Sequence, residues 1–245
     1  MFETRAGIFL IAGFGFFILA FIVMAWVPIA IYQGEPELSV KELAAQGITH
    51  DFVDLAERYP RQFKEHFGEV SEESFAAALK LGHKIYVGEA CWHCHSQQVR
   101  PVSNEGRRWG GESYSEEYQN EFQRPVLFGT RRVGPDLIRE GSRKSNDWHI
   151  AHFYKPTSVV PVSVMPRYPW FFDAEGYPNK KGFAIITYVQ WLGSWHKTYP
   201  YWYHRGPDEP AKAPLPPADF RPTTDEAKPA GGVAMRADDA AKAGV

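Results

Sequence analysis

Two cysteines stand three positions apart with a histidine directly behind the second, in the run Cys91-Trp92-His93-Cys94-His95. They are the only two cysteines of the 245-residue sequence. A disulfide between them would close a loop too short to stabilise much, so their use is chemical or ligating. C-x-x-C-H is the attachment pattern of c-type haem. Two thiols a short turn apart can each form a thioether to one vinyl group, and the following histidine then lies under the ring with a nitrogen on the iron. Two other chemistries use such a pair. A thioredoxin-like couple expects a βαβ setting, which this region lacks. Half a zinc site expects a second pair at finger spacing, and none follows. His93 reads as a bystander.

A six-coordinate electron-transfer haem needs a second axial ligand. Of four methionines, Met1 is the first residue, Met24 lies in an apolar run and Met235 in a proline-rich tail. Met165 remains, inside Pro161-Val162-Ser163-Val164-Met165-Pro166-Arg167-Tyr168-Pro169. Three prolines fix φ along this loop and hold a side chain at a set distance. A thioether on iron favours the reduced state and raises the potential. Core filling is the ordinary use of a lone methionine. His149 and His152, at i and i+3, are the fallback ligands.

The elements that position these groups are helical. Phe75, Ala78, Leu79, Gly82, Ile85 and Tyr86 recur at helical steps, predicting a helix from about Ser74 to Gly88 that ends just before the cysteines, capped by Ser71 or Ser74. Phe183, Ile186, Val189 and Leu192 predict a second, amphipathic helix over about Lys181–Trp195. Between them, a Gly-, Pro- and Trp-rich stretch with little periodicity reads as loops wrapped around something.

No charge interrupts Ala6 to Tyr32, a run of roughly 40 Å as a helix and enough to cross a bilayer. Trp26 and Tyr32 sit at its far end, where amphipathic aromatics favour the interface. A cleaved signal peptide is the rival reading; the stretch is too long and no A-x-A-like site closes it. Residues 1–5 then form a cytoplasmic N-terminus and 6–32 the anchor. Residues 33–73 read as a charged, helix-prone connector that spaces the domain or packs on a partner. Residues 74–204 form the haem domain, and 205–245 a Pro/Ala-rich tail too poor in apolar surface to order itself. A net charge of -2 gives no basic patch for nucleic acid.

Four ordered motifs carry a family resemblance: Tyr86 through Pro101 around the cysteines, Gly129-Thr130-Arg131-Arg132-Val133-Gly134-Pro135-Asp136-Leu137, Asp147 through His152, and Val159 through Trp170. Together they resemble the mono-haem subunit (subunit II) of cbb3-type cytochrome c oxidases. The resemblance implies an all-α architecture, a single transmembrane helix plus a class I cytochrome c-like domain with a loop-rich wrap. It implies that Gly82 and Tyr86 meet Tyr188 where two helices cross, and that the Pro135 carbonyl accepts a hydrogen bond from His95. It also implies one haem c on Cys91 and Cys94, His95 and Met165 as axial ligands, and Arg100 and Arg143 at the haem propionates. The implied partners are the haem-copper catalytic subunit, a dihaem cytochrome c subunit and a soluble cytochrome c. The implied location is the bacterial inner membrane, with the haem domain in the periplasm. The chain itself shows no catalytic constellation. Two other readings stay open here: a mono-haem subunit of another respiratory complex, such as nitric oxide reductase or a quinol–cytochrome c oxidoreductase, and a haem-free dithiol module.

Overall fold

The computed structural model describes residues 2–100 and 112–194. The expected Pro/Ala-rich tail lies outside these residues. Among those described there is no strand; the architecture is all-α.

A continuous helical rod opens the chain: α1 (Phe2–Phe21), a π-helical turn (Ile22–Trp26) and α2 (Val27–Gly34). The wide turn has a local cause. Pro28 carries no N–H and its ring crowds the carbonyl four residues back, at Met24. The chain relaxes by letting the Val27 N–H bond the Ile22 carbonyl, five residues back. Phe9, Phe16 and Met24 are 76%, 72% and 78% exposed, and the apolar span Glu3–Gly34 has no buried side. A core helix would hide one stripe; this rod exposes apolar side chains all round, as a lipid-facing helix does.

The segment expected to be a connector packs into the core. It forms α3 (Val40–Ala45), α4 (His50–Arg58) and α5 (Pro60–Phe67). Ser39 and Glu42 close a capping box at the start of α3. Val40, Leu43, Phe52, Leu55 and Phe63 are all buried in one core with Phe75 and Phe183. The Phe52 ring centroid lies 5.0 Å from both Phe63 and Phe75. The first two helices fall on the helix-prone segments 40–46 and 51–58; their few apolar residues, at three- and four-residue steps, do not reveal that they join the core.

Helix α6 (Glu72–Gly88) is capped by Ser71, with Ser74 as its capping-box partner. Next come the single turn α7 (Cys91–Cys94) and α8 (Asn146–Tyr154), which is capped by Ser145. The final helix, α9 (Lys180–Trp191), crosses α6 at Gly82, where a Cβ would collide with the Ala184 carbonyl and Tyr188. Tyr86 and Tyr188 pack there at 5.5 Å. α9 stops short of the expected Trp195: Leu192 is already extended and Gly193 takes φ +86. Every residue from Gly182 to Trp191 is buried, not one stripe alone. The reason is that α4, α5 and α8 pack on it as well as α6.

Candidate haem site

α6 ends at Glu89, and Ala90 turns the chain through the left-handed region at φ +56 to start the α7 turn. This corner presents Cys91 and Cys94 as free thiols, Cys91 buried and Cys94 half-buried. Burial pushes the Cys91 thiol up to about 12. His95 follows directly. Its carbonyl accepts a bond from the Tyr86 hydroxyl at 2.5 Å, tying the histidine to the α6–α9 crossing.

The His95 ring is fixed by a second segment. Its Nδ1 lies 2.8 Å from the Pro135 carbonyl oxygen. A carbonyl can only accept, so Nδ1 carries the proton and Nε2 keeps its lone pair, the arrangement a metal ligand needs. Burial lowers the pKa of His95, which keeps the ring neutral. Gly134 lies flat on the imidazole, and a Cβ there would overlap the ring. Backbone bonds hold this loop in register: Gly134 N–H to the Cys94 carbonyl at 3.1 Å and Leu137 N–H to the Ser96 carbonyl at 3.0 Å. Ser96 Oγ accepts from Gly129 N–H at 3.1 Å.

The proline-stiffened loop follows α8. Val162 and Val164 are 88% and 77% exposed, whereas Met165 is half-buried and packs on the core. The loop returns to the cysteine turn through its aromatic end. The Tyr168 side chain lies beside the Cys91 thiol, and Trp170 Nε1 donates to Glu89 Oε1 at 3.0 Å. On α8, His152 stacks on Trp148 at 4.5 Å. Its Nδ1 and the Nε2 of His149 are buried without hydrogen-bond partners. Burial lowers His149 to about 3 and His152 to about 4.

The remaining predicted residues spread out. Arg100 sits over the Phe128 ring at 5.3 Å. Arg143 lies 3.9 Å from Glu140, a carboxyl that burial raises to about 7. Sequence reasoning missed Tyr168, Trp170 and Glu89 as bridging groups, and the buried Gln97–Gln123–Tyr188 cluster behind His95. Their aromatic or polar character alone gave no hint of partners far along the chain.

The donor set fits a haem. Two thiols stand one turn apart, an imidazole with an unprotonated Nε2 follows them, and a glycine that leaves no Cβ lies against the ring. A family model for the cytochrome c oxidase mono-haem subunit, FixO, matches residues 57–181, just over half of the chain. That stretch contains the cysteine turn, the Pro135 loop and Met165. The chain belongs to the FixO family of cytochrome c oxidase mono-haem subunits. Membership identifies a haem-binding subunit of the cbb3-type oxidase, which associates with the other subunits of that complex. The exposed N-terminal rod suits such a membrane-bound assembly. A search of curated proteins found no significant match.

Proposed function

We propose that this FixO-family chain is the electron-relay subunit of its oxidase, with one haem c held by thioethers from Cys91 and Cys94 and by axial His95 and Met165. The observation that carries this reading is the His95–Pro135 contact beside two free thiols, because it fixes the one tautomer that can bind iron. When bound, the haem would supply one-electron redox chemistry. The chain's own residues do the rest. Pro135 and Gly134 orient the imidazole. The loop of Val159–Trp170 presents the thioether. Tyr86, Tyr188 and the α9 core keep water from the buried side. Arg100 and Arg143 are the cations proposed to face the haem carboxylates, Arg143 with Glu140 beside it.

By the same reading, electrons arrive from a soluble cytochrome c or a dihaem subunit and leave to the haem-copper catalytic subunit. The apolar rod Phe2–Gly34 anchors the domain in the bacterial inner membrane, N-terminus in the cytoplasm and haem domain in the periplasm. Support for a fixed geometry comes from Arg124. It stacks over Tyr32 at 4.5 Å and donates to the Glu35 carbonyl at 3.1 Å, tying the end of the rod to the domain.

The test is the purified chain under denaturing electrophoresis, stained for covalent haem, together with single-turnover electron transfer in the assembled oxidase. Haem retained by the wild type, lost in Cys91→Ala/Cys94→Ala, and reoxidised by oxygen only through the intact complex is the expected result. A zinc centre, or a chain carrying no porphyrin, would overturn the proposal.

A further inference from the structure

The two segments proposed to carry the axial ligands are separated by about 70 residues of sequence. The base of the thioether loop is closed on its own helix: Tyr168 N–H bonds the Phe153 carbonyl at 3.0 Å and Arg167 Nε bonds the Tyr154 carbonyl at 3.2 Å. Those contacts set the loop's shape but do not place it relative to the cysteine turn. Its aromatic end does. Trp170 Nε1 donates to Glu89 Oε1 at 3.0 Å, and Glu89 is the last residue before the Ala90 corner. Tyr168 lies beside Cys91 in that same turn. Trp170 packs edge-on against Tyr168 at 5.4 Å, so the two contacts brace each other. Asn179 Nδ2 bonds the Trp170 carbonyl at 3.0 Å and holds the backbone of this end.

We infer that the Trp170–Glu89 hydrogen bond is a strap that holds the Met165 loop against the cysteine turn, making Trp170 and Glu89 positioning residues for the distal ligand. The inference rests on Met165 being that ligand, as proposed above. Neither residue touches the iron. Their effect is on the fraction of time the thioether stays bound. A net hydrogen bond of about 0.5–1.5 kcal/mol corresponds to a roughly two- to tenfold change in that equilibrium.

The test uses the full chain, haem-loaded and solubilised in detergent, in the variants Trp170→Phe, Glu89→Leu and Glu89→Gln, with Met165→Ala alongside. Three quantities are read: the thioether-to-ferric-iron charge-transfer band, the affinity for added imidazole, and the midpoint potential. Trp170→Phe keeps the ring and loses the N–H; Glu89→Gln keeps an acceptor oxygen. The strap predicts two- to tenfold tighter imidazole binding, a weakened band and a lower potential in Trp170→Phe and Glu89→Leu. Glu89→Gln should return all three to near wild type. A merely structural role would lower the unfolding midpoint without that rescue pattern. Wild-type band, affinity and potential in both Trp170→Phe and Glu89→Leu would overturn the strap. An undiminished band in Met165→Ala would instead overturn the ligand assignment itself, so the two failures are told apart.

Discussion

The two sides of the haem site are built by opposite means. On the His95 side the described contacts come from the core and the backbone: Tyr86 from α6, the Pro135 carbonyl, Gly134 against the ring, Ser96 under Gly129. On the Met165 side the ligand candidate sits in a surface loop whose neighbours Val162 and Val164 are almost fully exposed. That loop is held by its own base, by a buried tyrosine and by a tryptophan at the surface. The difference teaches where adaptability lies. A ligand wedged into the core has one position or none. A ligand on a strapped loop can leave and return without unfolding the domain.

The largest effect should come from breaking the rigid side. Gly134→Ala places a Cβ inside the His95 imidazole, and neither the ring nor the backbone of Cys94 can move far. Overpacking of this kind costs about 1–3 kcal/mol and misdirects the ring. The yield of haem-loaded protein, measured by pyridine haemochrome, should fall about tenfold. Equal loading in Gly134→Ala and wild type would mean that the frame is softer than its contacts indicate. Met165→Ala is expected to be milder in loading and sharper in redox. Haem should stay attached while the potential falls by on the order of 0.1 V, part of the roughly 0.8 V that axial ligation spans. Carbon monoxide should then bind the ferrous iron. Potentiometric titration checks the shift.

The same contrast explains what could be read from the sequence. Cys91, Cys94 and His95 are contiguous, so their chemistry is visible in five letters, and helix α6 before them has a long, clean period. Gly82 and Tyr188 were placed at the crossing by resemblance, and the packing there follows from a missing Cβ. What could not be read is long-range. Val40, Phe52 and Phe63 lie in helices of six, nine and eight residues, too short for a periodic signal to separate a core layer from a spacer. α9 reads as amphipathic because its further contacts come from helices whose place in the core the sequence does not show. The Trp170–Glu89 and Tyr168–Cys91 contacts join residues about 80 positions apart, and neither partner differs in type from an ordinary surface or core residue.

Acid should strain the two sides unequally. His149, on the helix that leads into the Met165 loop, is 3% exposed and lowered by burial to about 3 from an ordinary 6.5. The folded state therefore binds fewer protons than the unfolded state between those values. Its contribution is fully present above about pH 6.5 and is lost as pH falls toward 3. At pH 4 the loss is on the order of 3 kcal/mol. His149→Gln, neutral throughout, should flatten denaturant-derived stability between pH 6.5 and 4. In the wild type the thioether band should fade at a higher pH than helical circular dichroism. Simultaneous loss of both would mean the two sides unfold as one unit.

The smallest expected effect concerns the corner before the cysteines. Ala90 is held at φ +56, where its Cβ crowds the following carbonyl at a cost of roughly 1 kcal/mol. Such strain persists only where surrounding structure over-determines it. Arg132, at φ +47, flanks the same frame, and the loop from Lys155 to Trp170 has no non-glycine residue with positive φ. Strain is thus concentrated on the side that the core can hold. Ala90→Gly relieves the crowding, but it frees the unfolded chain by a comparable amount. The net should lie between zero and a gain of roughly a few tenths of a kcal/mol, with the haem spectrum unchanged. A loss of stability, or a shifted spectrum, would show that the left-handed turn is set by the haem attachment and not by the packing of α6 on α9.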